Sequence, residues 1–151
     1  MIGSILVLTV SMILFLYWFR YTCLLILSAR PAKDYGRQVA EANQLSFPEI
    51  RDELCGAATA SVSFAKLEAS LERDFRLLNC LISQASESPL GGLALEERIL
   101  LVDYKIMKAW CKLTRPIAVS QARRALEEMS DIVAHFANAM GERQAIPVTT
   151  R

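Results

Sequence analysis

The chain changes character once, near residue 30. Residues 2–19 are almost all apolar and carry no charged side chain, whereas the sequence after Arg30 is rich in charge. A run of about 18 apolar residues is close to the shortest that crosses the hydrocarbon core of a bilayer as a helix. The pattern therefore predicts a transmembrane anchor over residues 1–29, followed by a helical domain.

A short link follows the anchor. Pro31 ends the first helix, because proline disfavours helical geometry in the residue before it. Within the link, which covers residues 30–45, Asp34 could cap a short helix that ends at Asn43.

The strongest helix-start signal in the chain is at Ser46. Glu49 follows three residues later, and this spacing is a capping box. From there to residue 86 the apolar positions recur at steps of three, four and seven, which predicts one helix of about 40 residues. Its middle, residues 55–63, consists of small residues that either let another helix approach closely or mark a bend. The apolar face is expected to comprise Ile50, Leu54, Ala57, Phe64, Leu67, Leu71, Phe75, Leu78 and Ile82.

Two shorter helices follow clear breaks. A turn rich in proline and glycine at 88–92 precedes a predicted helix over 93–113. A second break at 114–116 precedes a helix over 117–140, which Gly141 is expected to stop. The buried stripe of the helix over 93–113 is expected to be Leu95, Ile99, Val102, Ile106, Trp110 and Leu113, widened by Leu100, Leu101, Tyr104 and Met107. The buried stripe of the helix over 117–140 is expected to be Val119, Ala122, Leu126, Met129, Val133, Phe136 and Met140.

These elements predict an all-α protein. A single N-terminal transmembrane helix is followed by a long-helix antiparallel bundle of about three helices. The predicted segments are the anchor (1–29), the link (30–45), the bundle (46–141) and a flexible tail (142–151). Because the helix that starts at Ser46 is longer than its partners, its membrane-proximal end is expected to be uncovered and open to a second protein.

The end of the anchor predicts where the chain leaves the bilayer. Tyr17, Trp18 and Tyr21 are of the types enriched at membrane interfaces. Arg20 lies among them and can reach the lipid headgroups. The alternative is a tilted helix that spans as far as Leu27, with Arg20 inside the bilayer and paired to another subunit. Three aromatic neighbours favour the interfacial position of Arg20.

Beyond this aromatic belt the sequence becomes apolar again. Leu24, Leu25 and Leu27 lie past the predicted bilayer exit, where their neighbours in sequence offer them no cover. We therefore expect these three leucines to form a partner-binding surface.

Positive charge lies on one side of the span only. The basic residues that follow it are Arg20, Arg30, Lys33 and Arg37. The positive-inside rule then predicts an external N-terminus and a cytoplasmic C-terminal domain. A cleaved signal peptide is disfavoured, because the chain lacks a basic start and its long apolar run ends in aromatic rather than small residues.

Composition narrows the possible partners. The net charge of +1 gives no basis for nucleic-acid binding. Residues 46–88 hold seven acidic and four basic side chains, whereas residues 93–115 hold five basic and three acidic ones. Helices of opposite net sign could pair, but exposed pairs contribute only a few tenths of a kcal/mol each. The charge distribution therefore favours solvated faces of ordinary helices. Lys105, Lys108 and Lys112 share one helix face that is expected to be exposed, where anionic lipid or an acidic partner could meet it.

The cysteines have no spacing typical of metal or redox sites. Cys23, Cys55, Cys80 and Cys111 are far apart in sequence, with no Cys-x-x-Cys pair. Their apolar surroundings predict buried free thiols, which fits a reducing compartment.

Catalytic chemistry has little support. His135 is the single histidine, and Glu128 and Asp131 fall on the same side of its predicted helix. Di-metal carboxylate bundles use paired Glu-x-x-His motifs instead, so a metal- or cofactor-binding bundle is only a remote alternative. We expect no enzyme and assign no catalytic, cofactor or metal residue.

The sequence thus favours a membrane-anchored interaction protein, an accessory or scaffold subunit of a membrane-associated complex. Its expected partners are the lipid bilayer and either other membrane-protein subunits or a cytoplasmic protein. The alternative is a membrane-tethered signalling or sensor adaptor, which requires an element with two states. The stretch 55–63 is the candidate for that element.

Overall fold

The computed structural model describes residues 2–29, 34–56, 63–85 and 95–145. Over these residues the protein has six α-helices and no strand, which confirms the predicted all-α class. They form two compact units, Met1–Arg30 and Pro31–Arg151. The helices are α1 (Ile2–Ser28), α2 (Gly36–Asn43), α3 (Phe47–Gly56), α4 (Phe64–Ala85), α5 (Leu95–Thr114) and α6 (Val119–Ala145).

The first unit holds α1. From Gly3 to Ser28 this helix is long and apolar enough to cross a membrane. The Thr9 hydroxyl donates a hydrogen bond to the Ile5 carbonyl at 2.8 Å. Hydroxyl groups that bond to the preceding helical turn need no partner outside the helix, and this suits a helix in an apolar solvent.

The second unit is built around α6, against which α2, α3, α4 and α5 all pack. Its predicted apolar stripe is confirmed from Ala122 onward, whereas Val119 at its start is exposed. Apolar residues also fill other sides of α6, including Ala125, Ile132 and Ala137. A helix buried on several sides is what a central position requires. The buried stripe residues are Ala122, Leu126, Met129, Val133, Phe136 and Met140.

The prediction of one long helix over residues 46–86 is wrong. The Phe47 N–H donates a hydrogen bond to Asp74 Oδ2 at 2.9 Å, yet a straight helix would hold these residues about 40 Å apart. Two helices, α3 and α4, therefore pack against each other. The first ends at Gly56, a poor helix former. Of the small-residue stretch, residues 57–62 lie outside the described part of the chain.

The predicted inner face of α5 is confirmed only in part. Leu100, Tyr104 and Met107, predicted to widen the stripe, are buried together with Cys111, whereas most of the stripe itself is exposed. Both sets of apolar residues recur at helical spacing, so periodicity alone does not decide which set faces the core. The exposed members of the predicted stripe are Leu95, Val102, Ile106, Trp110 and Leu113.

The segment predicted as a link contributes a helix to the bundle. Asp34 Oδ1 accepts a hydrogen bond from the Gly36 N–H at 3.1 Å, next to the start of α2. The helix ends at Asn43, as predicted, and buries Val39 and Ala40. Because α2 packs on α6, residues 36–43 belong to the bundle.

Gly141 does not stop α6, which continues to Ala145. A Cβ atom at Gly141 would overlap Cβ of Tyr35 and lie 3.2 Å from Cγ2 of Val39. Close by, the Tyr35 N–H donates a hydrogen bond to Asn138 Oδ1 at 2.8 Å. Gly141 therefore provides the space in which the start of α2 docks on α6.

We expect Gly141→Ala to lower the free energy of unfolding by about 1–3 kcal/mol, because the added methyl group overpacks the contact with Tyr35. The measurement is urea denaturation of the detergent-solubilised full chain, followed by far-ultraviolet circular dichroism. Gly56→Ala is the matched control, since a Cβ atom at Gly56 meets nothing within 4 Å. That variant should be neutral or slightly stabilised, and equal losses in both variants would contradict the role of Gly141.

Candidate membrane and partner surfaces

The predicted interfacial residues lie together near the C-terminal part of α1. The Trp18 ring makes edge-on contacts with Tyr17, at a centroid distance of 6.4 Å, and with Tyr21, at 6.0 Å. All three rings are at least half exposed. Arg20 is half-buried in the same helical turn. The structure thus brings together an exposed aromatic cluster and a cation, the combination found where helices leave a bilayer.

The three leucines of the predicted partner surface follow on the same helix. Leu24 and Leu25 are exposed to 50 % and 58 %, and Leu27 is intermediate. Leu24 and Leu27 are three residues apart, which places them on a common helix face. The Thr22 and Ser28 hydroxyls bond to carbonyls of their own helix. The exposed surface of this segment is therefore largely apolar.

The prediction of a second partner surface, at an uncovered end of the helix that starts at Ser46, is wrong. Phe47, Ile50 and Leu54 of α3 are each at most 5 % exposed. Leu45, just before the helix, is buried as well. The expectation failed because α3 folds back against α4 and α6 and uses its apolar face inside the bundle.

The N-terminus of α3 is capped by a residue of another helix. Asp74 of α4 accepts hydrogen bonds on Oδ2 from the Ser46 N–H, at 2.6 Å, and from the Phe47 N–H. The Ser46 hydroxyl instead accepts a hydrogen bond from Arg73 at 3.0 Å. Burial raises the pKa of Asp74, while these N–H donors and Arg73 favour its charged form. Asp74 thus satisfies donors that a helix start leaves open.

Basic side chains hold α3 along its remaining length. The Arg123 guanidinium of α6 donates a hydrogen bond to the Leu54 carbonyl, near the C-terminus of α3. Arg51 pairs with Asp131 of α6 at 3.5 Å. A cation is favourable at a helix C-terminus, where unpaired carbonyls carry partial negative charge. Both ends of α3 are therefore fixed by tertiary contacts.

Opposite charges join α4 to α5, although the sequence favoured solvated faces for these helices. Lys108 of α5 pairs with Glu72 of α4, and its hydrogen bond lowers the pKa of Glu72. One turn further along α5, Lys112 lies 3.6 Å from Glu68. The third member of the predicted basic face, Lys105, is exposed. Two of the three lysines thus form ion pairs between helices of the bundle.

Large aromatic side chains support the same contact between α4 and α5. The rings of Phe75 and Tyr104 stack at a centroid distance of 3.8 Å. Phe136 of α6 meets Phe75 edge-on at 5.8 Å. Burial raises the pKa of Tyr104 above its ordinary range. The three rings form an apolar centre between α4, α5 and α6.

Asp131, one of the two acidic residues predicted to lie beside His135, makes another contact. Asp131 pairs with Arg51, and the His135 ring meets Phe136 edge-on at 6.4 Å. Among the described residues, no group of three or more His, Cys, Asp or Glu side chains is arranged to hold a metal ion.

The prediction of buried thiols holds for two cysteines and fails for one. Cys23 and Cys111 are buried free thiols, whereas Cys80 is exposed. The Cys111 thiol donates a weak hydrogen bond to the Ala122 carbonyl at 3.6 Å, and burial raises its pKa. Cys80 is exposed because it lies on α4 away from the buried positions Leu71 and Leu78.

Sequence reasoning missed the cap provided by Asp74, although a signal for it exists. Leu71, Asp74 and Leu78 are spaced by three and four residues, so Asp74 occupies a position on the apolar face of its helix. A carboxylate on such a face needs a buried hydrogen-bond partner. Identifying that partner as the start of α3 requires the tertiary structure.

The chain matches no protein-family model, no curated protein and no solved structure. Its function must therefore rest on its own residues and their geometry.

We expect Asp74→Ala to lower the free energy of unfolding by about 1–2 kcal/mol, since the buried N–H groups at the start of α3 lose their acceptor. Urea denaturation of the full chain in detergent measures this loss. Asp52→Ala, which removes an exposed aspartate from α3 itself, is the matched control and should change little. If the Asp74 variant matched this control, the cap would not stabilise the bundle.

Proposed function

We propose that this chain is a single-pass membrane-anchored interaction protein, an accessory or scaffold subunit of a membrane-associated complex, and not an enzyme. The observation that carries the proposal is α1, a long apolar helix with its apolar side chains largely exposed. Exposed apolar area of this extent is costly in water and favourable in hydrocarbon.

In the proposed arrangement α1 spans the bilayer, with its N-terminus outside and the bundle in the cytoplasm. The exposed rings around Trp18 lie at the exit, and Arg20 reaches the headgroups. Basic residues after the span favour this orientation through the positive-inside rule.

The proposed partner surface comprises Leu24, Leu25 and Leu27. It continues the anchor beyond the aromatic belt, where lipid tails no longer cover it. A partner that presents apolar residues beside the membrane, either another membrane subunit or a cytoplasmic protein, would bury these side chains. The gain is about 1.5–3 kcal/mol for each fully buried leucine.

The orientation can be tested with a native thiol, because Cys80 is exposed and Cys23 and Cys111 are buried. In a Cys55→Ser background, a membrane-impermeant maleimide should label Cys80 only after cells are permeabilised. Cys80→Ser in the same background shows that the label is on this residue. Gly3→Cys marks the other end of α1 and should be labelled in intact cells. Labelling of Cys80 in intact cells would overturn the proposed orientation.

The partner surface is tested by the double variant Leu24→Ser with Leu27→Ser. Extraction in mild detergent followed by mass measurement should give a complex for the wild type and a large loss of partner from the variant. Leu77→Ser changes an exposed leucine of α4 and is the control, which should retain the partner. A wild-type protein that leaves the membrane as a lone monomer, or unchanged partner recovery from the double variant, counts against the proposal.

A further inference from the structure

The bundle exposes a continuous apolar surface on the outer side of α5. We call this surface, formed by Val102, Ile106, Trp110 and Leu113, the outer stripe. These residues are spaced by three and four, so they follow one face of the helix. Each is at least 40 % exposed, and Leu113 reaches 63 %. Beyond the helix, Ile117 continues the apolar character at 82 % exposure.

The opposite side of the same helix is also apolar and fills the core. Leu100, Tyr104 and Met107 are buried there, together with the carboxylates of Glu97 and Asp103. The chain therefore buries two acidic groups on α5 while it leaves a tryptophan and several aliphatic side chains outside. Exposed apolar patches of this kind mark interaction surfaces.

A row of cations borders the outer stripe. Arg98, Lys105 and Lys112 are spaced by seven residues, about two helical turns, so they form one line along α5. Arg98 and Lys105 follow Leu95 and Val102 by three residues, which makes them direct neighbours of the apolar face. All three cations are exposed. In the described part of the chain, only Lys112 has a carboxylate partner, Glu68 at 3.6 Å.

We propose that the outer stripe of α5 lies on an anionic bilayer surface, with its apolar side chains in the interface and its cationic row on lipid phosphates and carboxylates. This inference rests on the proposed membrane anchor, which keeps the bundle close to the bilayer. A helix with aromatic and aliphatic residues on one face and cations beside them is the pattern of interfacial membrane binding. Trp110 is the side-chain type most suited to that depth.

Charge favours a lipid surface over a second copy of the chain. The border of the outer stripe carries Arg98, Lys105 and Lys112. Two copies that met antiparallel through their stripes would bring these like charges together. An anionic leaflet neutralises the whole row at once, and each cation near such a surface raises the binding constant by roughly fivefold.

The two tryptophans allow the anchor and the outer stripe to be observed separately. In Trp18→Phe the only tryptophan is Trp110, and in Trp110→Phe it is Trp18. Each full-length variant is reconstituted into vesicles of phosphatidylcholine alone or mixed with phosphatidylserine, with or without brominated acyl chains that quench tryptophan. Trp110 should lose emission on brominated lipid in the anionic vesicles and far less in the neutral ones. Trp18 should be quenched in both.

Charge-matched variants test the cationic row. In the Trp18→Phe background, Arg98→Gln with Lys105→Gln should lower the ratio of docked to undocked bundle by roughly 30-fold. Lys66→Gln with Arg124→Gln removes the same charges from exposed positions on α4 and α6 and should leave quenching intact. Salt at about 1 M, where the Debye length is about 3 Å, should also reduce the quenching of Trp110.

The outcomes separate this inference from the proposed function. If Trp18 were not quenched in either kind of vesicle, the proposed membrane anchor would be overturned. Quenched Trp18 with Trp110 unaffected in anionic vesicles would overturn the outer-stripe proposal and leave the anchor standing. A blue shift of Trp110 that grows with protein density, without quenching by brominated lipid, would also overturn it and assign the stripe to a second copy. Quenching of Trp110 that is equal in neutral and anionic vesicles would overturn the role of the cations.

Discussion

The bundle depends above all on the burial of α6. Four other helices pack on it, and its fully buried side chains, such as Leu126 and Ile132, belong to different sides of the helix. Small residues on the same helix let neighbours approach, and at Gly141 the absence of a side chain is what admits Tyr35. Apolar burial therefore supplies most of the driving force, and close approach decides where the short helix α2 sits.

Directional contacts then fix α3, a short helix that the core alone would hold weakly. It has only 10 residues, and isolated helices of that length are marginal in water. Asp74 accepts from its first N–H groups, while Arg123 donates to the carbonyl of Leu54. A buried carboxylate is expensive unless it is well hydrogen-bonded. At Asp74 that cost is offset because the donors it satisfies would otherwise be buried without partners.

The parts of this fold that follow from local pattern could be predicted, and the parts that need tertiary partners could not. The uninterrupted apolar run identified α1, the spacing of apolar residues identified α6, and Ser46 marked the start of α3. The same spacing wrongly predicted one helix over residues 46–86, because the apolar periodicity continues from α3 to α4 although the chain folds back between them. Of the candidate surfaces, the exposed rings around Trp18 were visible in the sequence, whereas the cap by Asp74 required a partner distant along the chain.

The orientation of α5 depends on which of its two apolar faces packs against the core. With its present inner face, Tyr104 stacks on Phe75 and Glu97 meets Arg143. Turning the outer stripe inward would remove both contacts and would return Glu97 to water, so polar and aromatic contacts select the observed face. In a protein surrounded only by water, the exposure of Trp110 would be unfavourable, because its apolar area would stay in contact with water. Beside a bilayer the same exposure becomes favourable. The cationic row along one edge of the outer stripe then favours a leaflet that carries anionic lipid.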